Sequence, residues 1–184
     1  MMNRESNRSA GFTLIELMVT TAITVIITGL LVTNFSRVRV DLNRASISVT
    51  DGIREAQSLA LTGALIRGVI SCGYGIHFME NGFIIFSEPK NDSTKCADQN
   101  RIYDSSDAII RTATLGNTTL EVVLPADDIF FEPPDPTTYI NGAYAPATQA
   151  YIQIRRRGSA CVEKQSTPDC RAILVTGAGR VQPL

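Results

Sequence analysis

Residues 17–36 contain no charged side chain, and this run constrains everything else the chain can do. Its twenty residues, taken as helix at about 1.5 Å each, span roughly 30 Å, the hydrocarbon thickness of a bilayer. One carboxylate, Glu16, stands at its edge. An ionisable group beside hydrocarbon costs about 2.5–3.5 kcal/mol on insertion scales, so it needs a partner, a water-filled cavity or a role. No Lys or Arg between Phe12 and Ser36 can serve as that partner. A cut between Gly11 and Phe12 would create one, because the new α-amine of Phe12 lies on the helical face of Glu16.

The flanks favour that cut. Residues 1–11, MMNRESNRSAG, are polar and set Arg4 and Arg8 against Glu5, a cationic leader of the kind held on the cytoplasmic side. A secretory signal places its small-residue cleavage site after the apolar run. Here that place reads TNFSRVRV, while Ala10 and Gly11 come before the run. Cleavage at Gly11 would leave the apolar segment on the mature chain as its anchor.

The residues Gly11-Phe12-Thr13-Leu14-Ile15-Glu16-Leu17 resemble the class III signal of type IV prepilins and type II secretion pseudopilins. The resemblance implies prepilin peptidase as the processing enzyme, Gly11 as the last leader residue and Phe12 as the N-methylated first residue. It further implies that Glu16 helps recruit the subunit and pairs with a terminal amine as it assembles with other pilin or pseudopilin subunits. The location implied is the inner (cytoplasmic) membrane, crossed once with the C-terminal domain outside the cytoplasm, and then the pilus or pseudopilus.

With 184 residues and a net charge of −1, the chain fits one anchored domain whose globular part is roughly 115–120 residues. Near-neutral charge gives no global attraction to nucleic acid, so any such binding needs a local patch. Four cysteines, Cys72, Cys96, Cys161 and Cys170, all follow the apolar segment. With the leader held inside, they lie where disulfides persist. No C-x₂-C pair is present, so a zinc site is the weaker reading. Four cysteines allow three pairings. We favour Cys161–Cys170, closing VEKQSTPD between two strands, and Cys72–Cys96, clasping a hairpin at Asn81-Gly82.

Helical spacing continues beyond the anchor. Val38, Leu42, Ala45, Val49, Ile53, Ala56 and Ala60 recur at intervals of 3 and 4 among charged and polar residues. One helix from Phe12 to about Thr62 is expected, ended by Gly63 and Gly68. Thr20, Thr24 and Thr28 fall four apart, which suits close helix packing or hydroxyl bonding back to the helix. Beyond Gly68 the period becomes that of strands. YGIHFMENGFIIFSE reads as a hairpin with Asn81-Gly82 able to take positive φ. TLEVVLP, IFFE, YIQIRRR and RAILVTG read as further strands, and EPPDPTTYINGAYAP as turn. The expected fold is α+β, a long N-terminal helix packed on a mainly antiparallel sheet. Its expected divisions are a leader at 1–11, a transmembrane and assembly helix at 12–36, an amphipathic continuation at 37–63 and a β-rich domain at 64–184.

This layout is similar to the GspH/FimT-type minor pilins and pseudopilins, through the Arg54-Glu55-Ala56 helix register and a last strand ending in Gly179-Arg180-Val181. Thr33 stands where many major pilins carry proline, which favours a minor component. Some members of the FimT branch bind DNA through Gly-Arg-x-Arg, whereas this chain reads Gly179-Arg180-Val181-Gln182. DNA capture is therefore the runner-up function, with Arg155 or Arg157, Arg171 and Arg180 on one face as its contacts. A solvated face with acidic cross-strand partners competes with that reading.

Nothing in the pattern points to an enzyme, a cofactor or a metal. His77 is the only histidine, expected to face solvent opposite Ile76 and Phe78, and Cys72 nearby is expected in a disulfide rather than as a nucleophile. Asp104/Asp107, Asp127/Asp128 and Glu132/Asp135 lack the regular alternation of a calcium loop and read as solvated turns.

Overall fold

The structure, a computed structural model, describes residues 13–66, 68–90, 96–116, 118–134, 137–144 and 146–184, with backbone alone for 32–38. The leader, Gly11, Phe12 and Asp135 lie outside the described residues, as do the side chains of Thr33 and Val38. The chain divides into two compact units, residues 1–37 and 38–184. The fold is α+β: among the described residues one α-helix, α1 (Leu14–Thr62), is followed by antiparallel strands.

In the second unit, α1 lays the expected stripe on the strands. Leu42, Val49 and Ile53 are fully buried, and each contributes about 1.5–3 kcal/mol through lost water contact. Gly52 on the same helix leaves room for the Phe83 ring, which a Cβ there would meet at 2.5 Å. The helix ends in a Schellman motif: the Gly63 N–H donates to the Ala60 carbonyl, the Ala64 N–H to that of Leu59, and Gly63 takes φ +57°.

Among the described residues, ten strands form two sheets. The first has six strands in the order β3-β2-β1-β5-β6-β7, comprising β1 (Ser71–Met79), β2 (Gly82–Pro89), β3 (Ala108–Thr114), β5 (Ile129–Glu132), β6 (Thr137–Ile140) and β7 (Ala143–Tyr144). The second has four in the order β10-β9-β8-β4, comprising β4 (Leu120–Val122), β8 (Gln149–Arg156), β9 (Cys170–Thr176) and β10 (Val181–Pro183). Residues from α1 and both sheets form one core, including Ile53, Ile76, Ile85, Phe131, Ile152 and Ile173.

Four expectations are corrected here. The segment read as turn from Glu132 to Pro146 contains β6 and β7, because Thr138 and Ile140 alternate inward along a short strand that pairs with β5. The last strand does not end at Gly179-Arg180-Val181: β9 stops at Thr176, a turn follows, and β10 begins at Val181. The β1–β2 turn is Glu80-Asn81, with Met79 paired to Gly82, and neither Asn81 nor Gly82 has positive φ. Gly82 serves a different need, since a Cβ there would run into the Ala113 carbonyl of β3.

The last correction concerns the outer face of the larger sheet. It carries a second, smaller core of Ile84, Phe86 and Phe130. Gly73 and Gly75 on β1 make room for the Phe130 and Phe86 rings, and the segment 96–107 lies over them through Tyr103, 5.4 Å from Phe86. His77 consequently does not face open solvent.

Candidate functional site

Thr13 precedes the first turn of α1, and its Oγ1 accepts the Glu16 N–H at 3.3 Å, the bond a helix N-cap makes to the third helical residue. Thr13-Leu14-Ile15-Glu16 is thus a T-x-x-E capping signature, a signal the apolar-run reading passes over. It places the Glu16 carboxylate in the first turn, where the helix dipole favours negative charge. From Leu14 to Leu31 the helix has a mean hydropathy of 2.1 and none of it is buried, so it is long and apolar enough to cross a membrane. Glu16 is the only charged residue in that span.

The threonine stripe resolves into back-bonding. Thr20 Oγ1 donates to the Glu16 carbonyl at 2.9 Å, Thr24 Oγ1 to that of Thr20 at 2.7 Å, and Thr28 Oγ1 to that of Thr24 at 2.7 Å. The hydroxyls are satisfied within the helix, so the stripe can meet another helix without a stranded donor.

The arginines do not converge. On β8, Arg155 pairs with Cys170 of β9 and Glu121 of β4, while Arg171 sits opposite Ile154. Side chains of directly paired residues share a face, so Arg171 lies with Ile154 on the inner face and Arg155 on the outer one. The basic face that DNA capture would need from Arg155 or Arg157, Arg171 and Arg180 is therefore divided by the strand register, and Arg155 instead meets the acidic cross-strand residue Glu121. Each of the first three is also engaged. Arg155 Nε meets Glu121 Oε1 at 2.6 Å, and Arg157 meets Glu80 at 2.7 Å and Glu121 at 3.6 Å. Arg171 donates to Asn43 Oδ1 at 2.8 Å and to the Thr167 and Cys170 carbonyls. Arg180 is exposed in the β9–β10 turn. A groove of about 630 Å³ lies beside Arg157, lined also by Asn81, Thr114, Gly116 and Thr118.

Two disulfides join Cys72 to Cys96 and Cys161 to Cys170. Cys72 falls in a register shift of β1 between Ser71 and Gly73, and its bond to Cys96 ties down the start of the segment 96–107. That segment gathers the acidic residues. Asp128, buried and not in a solvated turn as expected, accepts the Tyr103 N–H through Oδ2 at 3.0 Å, while its Oδ1 lies 2.7 Å from His77 Nδ1. Asp127 accepts from Asn141 Nδ2, and Glu132 Oε2 from Arg101 Nε at 3.2 Å. His77 stacks on Tyr103, with ring centroids 4.9 Å apart, so it touches both Asp128 and the segment. No group of three or more potential ligands that could hold a metal ion occurs among the described residues. The apolar run across both faces of β2, Phe83-Ile84-Ile85-Phe86, is the sequence signal for this covered outer face.

Residues 6–32 match the family model described as the prokaryotic N-terminal methylation motif. Neither the curated proteins nor the solved structures yield a match. The match covers a minor part of the chain and coincides with the leader, Glu16 and the apolar turns of α1. The chain thus carries a type IV pilin-like N-terminal signal ahead of an α+β domain.

Proposed function

We propose that the chain is a minor subunit of a type IV pilus or a type II secretion pseudopilus, cut by prepilin peptidase between Gly11 and Phe12. The observation that carries this reading is the methylation motif at 6–32 together with a single carboxylate, Glu16, at the start of an otherwise uncharged and wholly exposed helical span, Leu14–Leu31. Such a helix has two environments open to it, lipid and other apolar helices, and a subunit passing from membrane to filament uses both in turn. In the filament, Glu16 neutralises the terminal amine of a neighbouring subunit. The domain from residue 38 onward stays outside the cytoplasm, where two disulfides persist. The work is assembly, without catalysis or cofactor.

Mass spectrometry of the mature N-terminus tests the proposal. The expected product begins at Phe12 and carries an N-methyl group. A product beginning after Ser36, with the apolar helix removed, would sink it.

A further inference from the structure

The segment 96–107 is held on the outer face of the larger sheet mainly by carboxylates that accept its backbone N–H groups. From the sheet, Glu88 Oε1 accepts from Arg101 at 2.6 Å and Asp128 Oδ2 from Tyr103 at 3.0 Å, while within the segment Asp107 Oδ2 accepts from Asp104 at 2.8 Å. Glu88 is the unusual member. It is 1% exposed, and its Oε2 has no hydrogen-bond partner among the described residues. The one cation at hand turns elsewhere: the Arg101 guanidinium bonds Glu132 at 3.2 Å and the carbonyls of Gln99 and Cys96, and stacks over Tyr139. Asp104 and Asp107 face Glu88 from the segment itself, His77 stands on β1, and Asp128 and Glu132 stand at the two ends of β5.

We propose that the segment 96–107 is a proton-dependent latch, seated while Glu88 is protonated and loosened once Glu88 and Asp107 are both ionised, so that Tyr103 lifts from Phe86. A buried carboxylate with one oxygen unpartnered and a second carboxylate nearby is costly when charged and tolerable when neutral. Burial, aided by the charge of Asp107, pushes the Glu88 carboxyl up to about 7, and burial pushes Asp107 up to about 6. A carboxyl group whose value is raised in the seated state binds its proton more tightly there than in the open state. Its contribution is fully present below the ordinary value of 4.5 and is lost as pH rises through about 7. The disulfide at Cys96 keeps one end of the segment attached, so loosening would be local.

The test is hydrogen exchange of the full-length protein in detergent micelles, with protection of the Arg101, Tyr103 and Asp104 amides corrected for the intrinsic rate at each pH. Protection should fall roughly thirtyfold between about pH 5.5 and 8.5 if Glu88 moves from about 7 when seated to 4.5 when open. Glu88→Gln, neutral at every pH and still able to accept from Arg101, should keep only the roughly fourfold fall that Asp107, raised to about 6, contributes by itself. A change below about threefold in the wild type, or the same fall in Glu88→Gln, overturns the latch. So does an equal fall at Ile152 and Ile173 in the other sheet, which would mean global opening. Should the variant fail to fold, carboxyl carbon NMR of the wild type decides: Glu88 titrating near 7 supports the latch, and titration near 4.5 overturns it.

Discussion

Gly82 shows how one residue type can answer two different demands. The pair Asn81-Gly82 reads as a turn that uses positive φ, yet the chain turns at Glu80-Asn81 and needs Gly82 for the approach of β3. The sequence holds no mark of that approach, because the strand that creates it lies some thirty residues away. Gly82→Ala should cost about 1–3 kcal/mol, since the obstacle is the backbone of Ala113 and Thr114 and cannot rotate aside. Chemical denaturation of residues 38–184 measures it, and an unchanged midpoint would contradict the geometry. Glu16, by contrast, was fully legible as an anomaly, because one charge beside an apolar run needs no tertiary context to stand out. If Glu16 neutralises a neighbour's amine, Glu16→Ala and Glu16→Gln should both insert normally and be lost from sheared filaments. Its position in the first turn gives a competing local role worth only about 0.3–1 kcal/mol, too little to prevent insertion. Recovery of Glu16→Gln in filaments at wild-type level would exclude the pairing.

Among the elements, α1 was the most readable, because a period near 3.6 survives in a single sequence when one face is buried. Its stripe also yields a matched pair of predictions. Ile53→Ala should cost about 2–5 kcal/mol, whereas Ile47→Ala, at a position 61% exposed, should stay within about 0.5 kcal/mol. Equal losses in denaturation would mean that the helix docks by another face. The strands were harder. The β3, β6 and β7 segments are short or exposed, and AIIRTAT and TTYI read as clearly as loop as they do as strand until a partner is present. The division into two sheets depends on β4 pairing with β8 and β5 with β1, both far apart in sequence. The cysteines offer a cleaner comparison of elements. Replacing Cys72 and Cys96 by Ser opens a loop of separation 24 and should cost about 3.5 kcal/mol in the chain-entropy account, against about 2.7 for the separation of 9 at Cys161 and Cys170. Thermal unfolding of the two double variants checks the order.

For the molecule as a whole, charge decides what can bind. The net charge is −1, and the arginines that could have made a basic face are split between two faces of the smaller sheet and engaged with Glu121, Glu80 and Asn43. Each neutralised phosphate adds about 0.9 to the logarithmic salt slope on duplex DNA, and of the four candidate arginines Arg155, Arg157 and Arg171 are already engaged. The unit 38–184 should therefore bind DNA only weakly at physiological salt. Submicromolar binding with a steep salt slope, lost in Arg180→Ala, would reinstate the runner-up function. The loop between β8 and β9 carries a practical consequence of a different kind. Its base is fastened by the Cys161–Cys170 bond, by the Arg156 N–H on the Asp169 carbonyl at 3.0 Å and by Gln153 Nε2 on the Val162 carbonyl at 2.8 Å. Its tip is open, with the Glu163 side chain 83% exposed and that of Lys164 56%. Doubling a loop's length costs only about 0.6 kcal/mol, so an epitope tag grafted between Glu163 and Lys164 should leave the melting temperature almost unchanged. If the chain assembles into a fibre as proposed, an antibody against the tag would give a handle for counting and locating its copies there without touching α1.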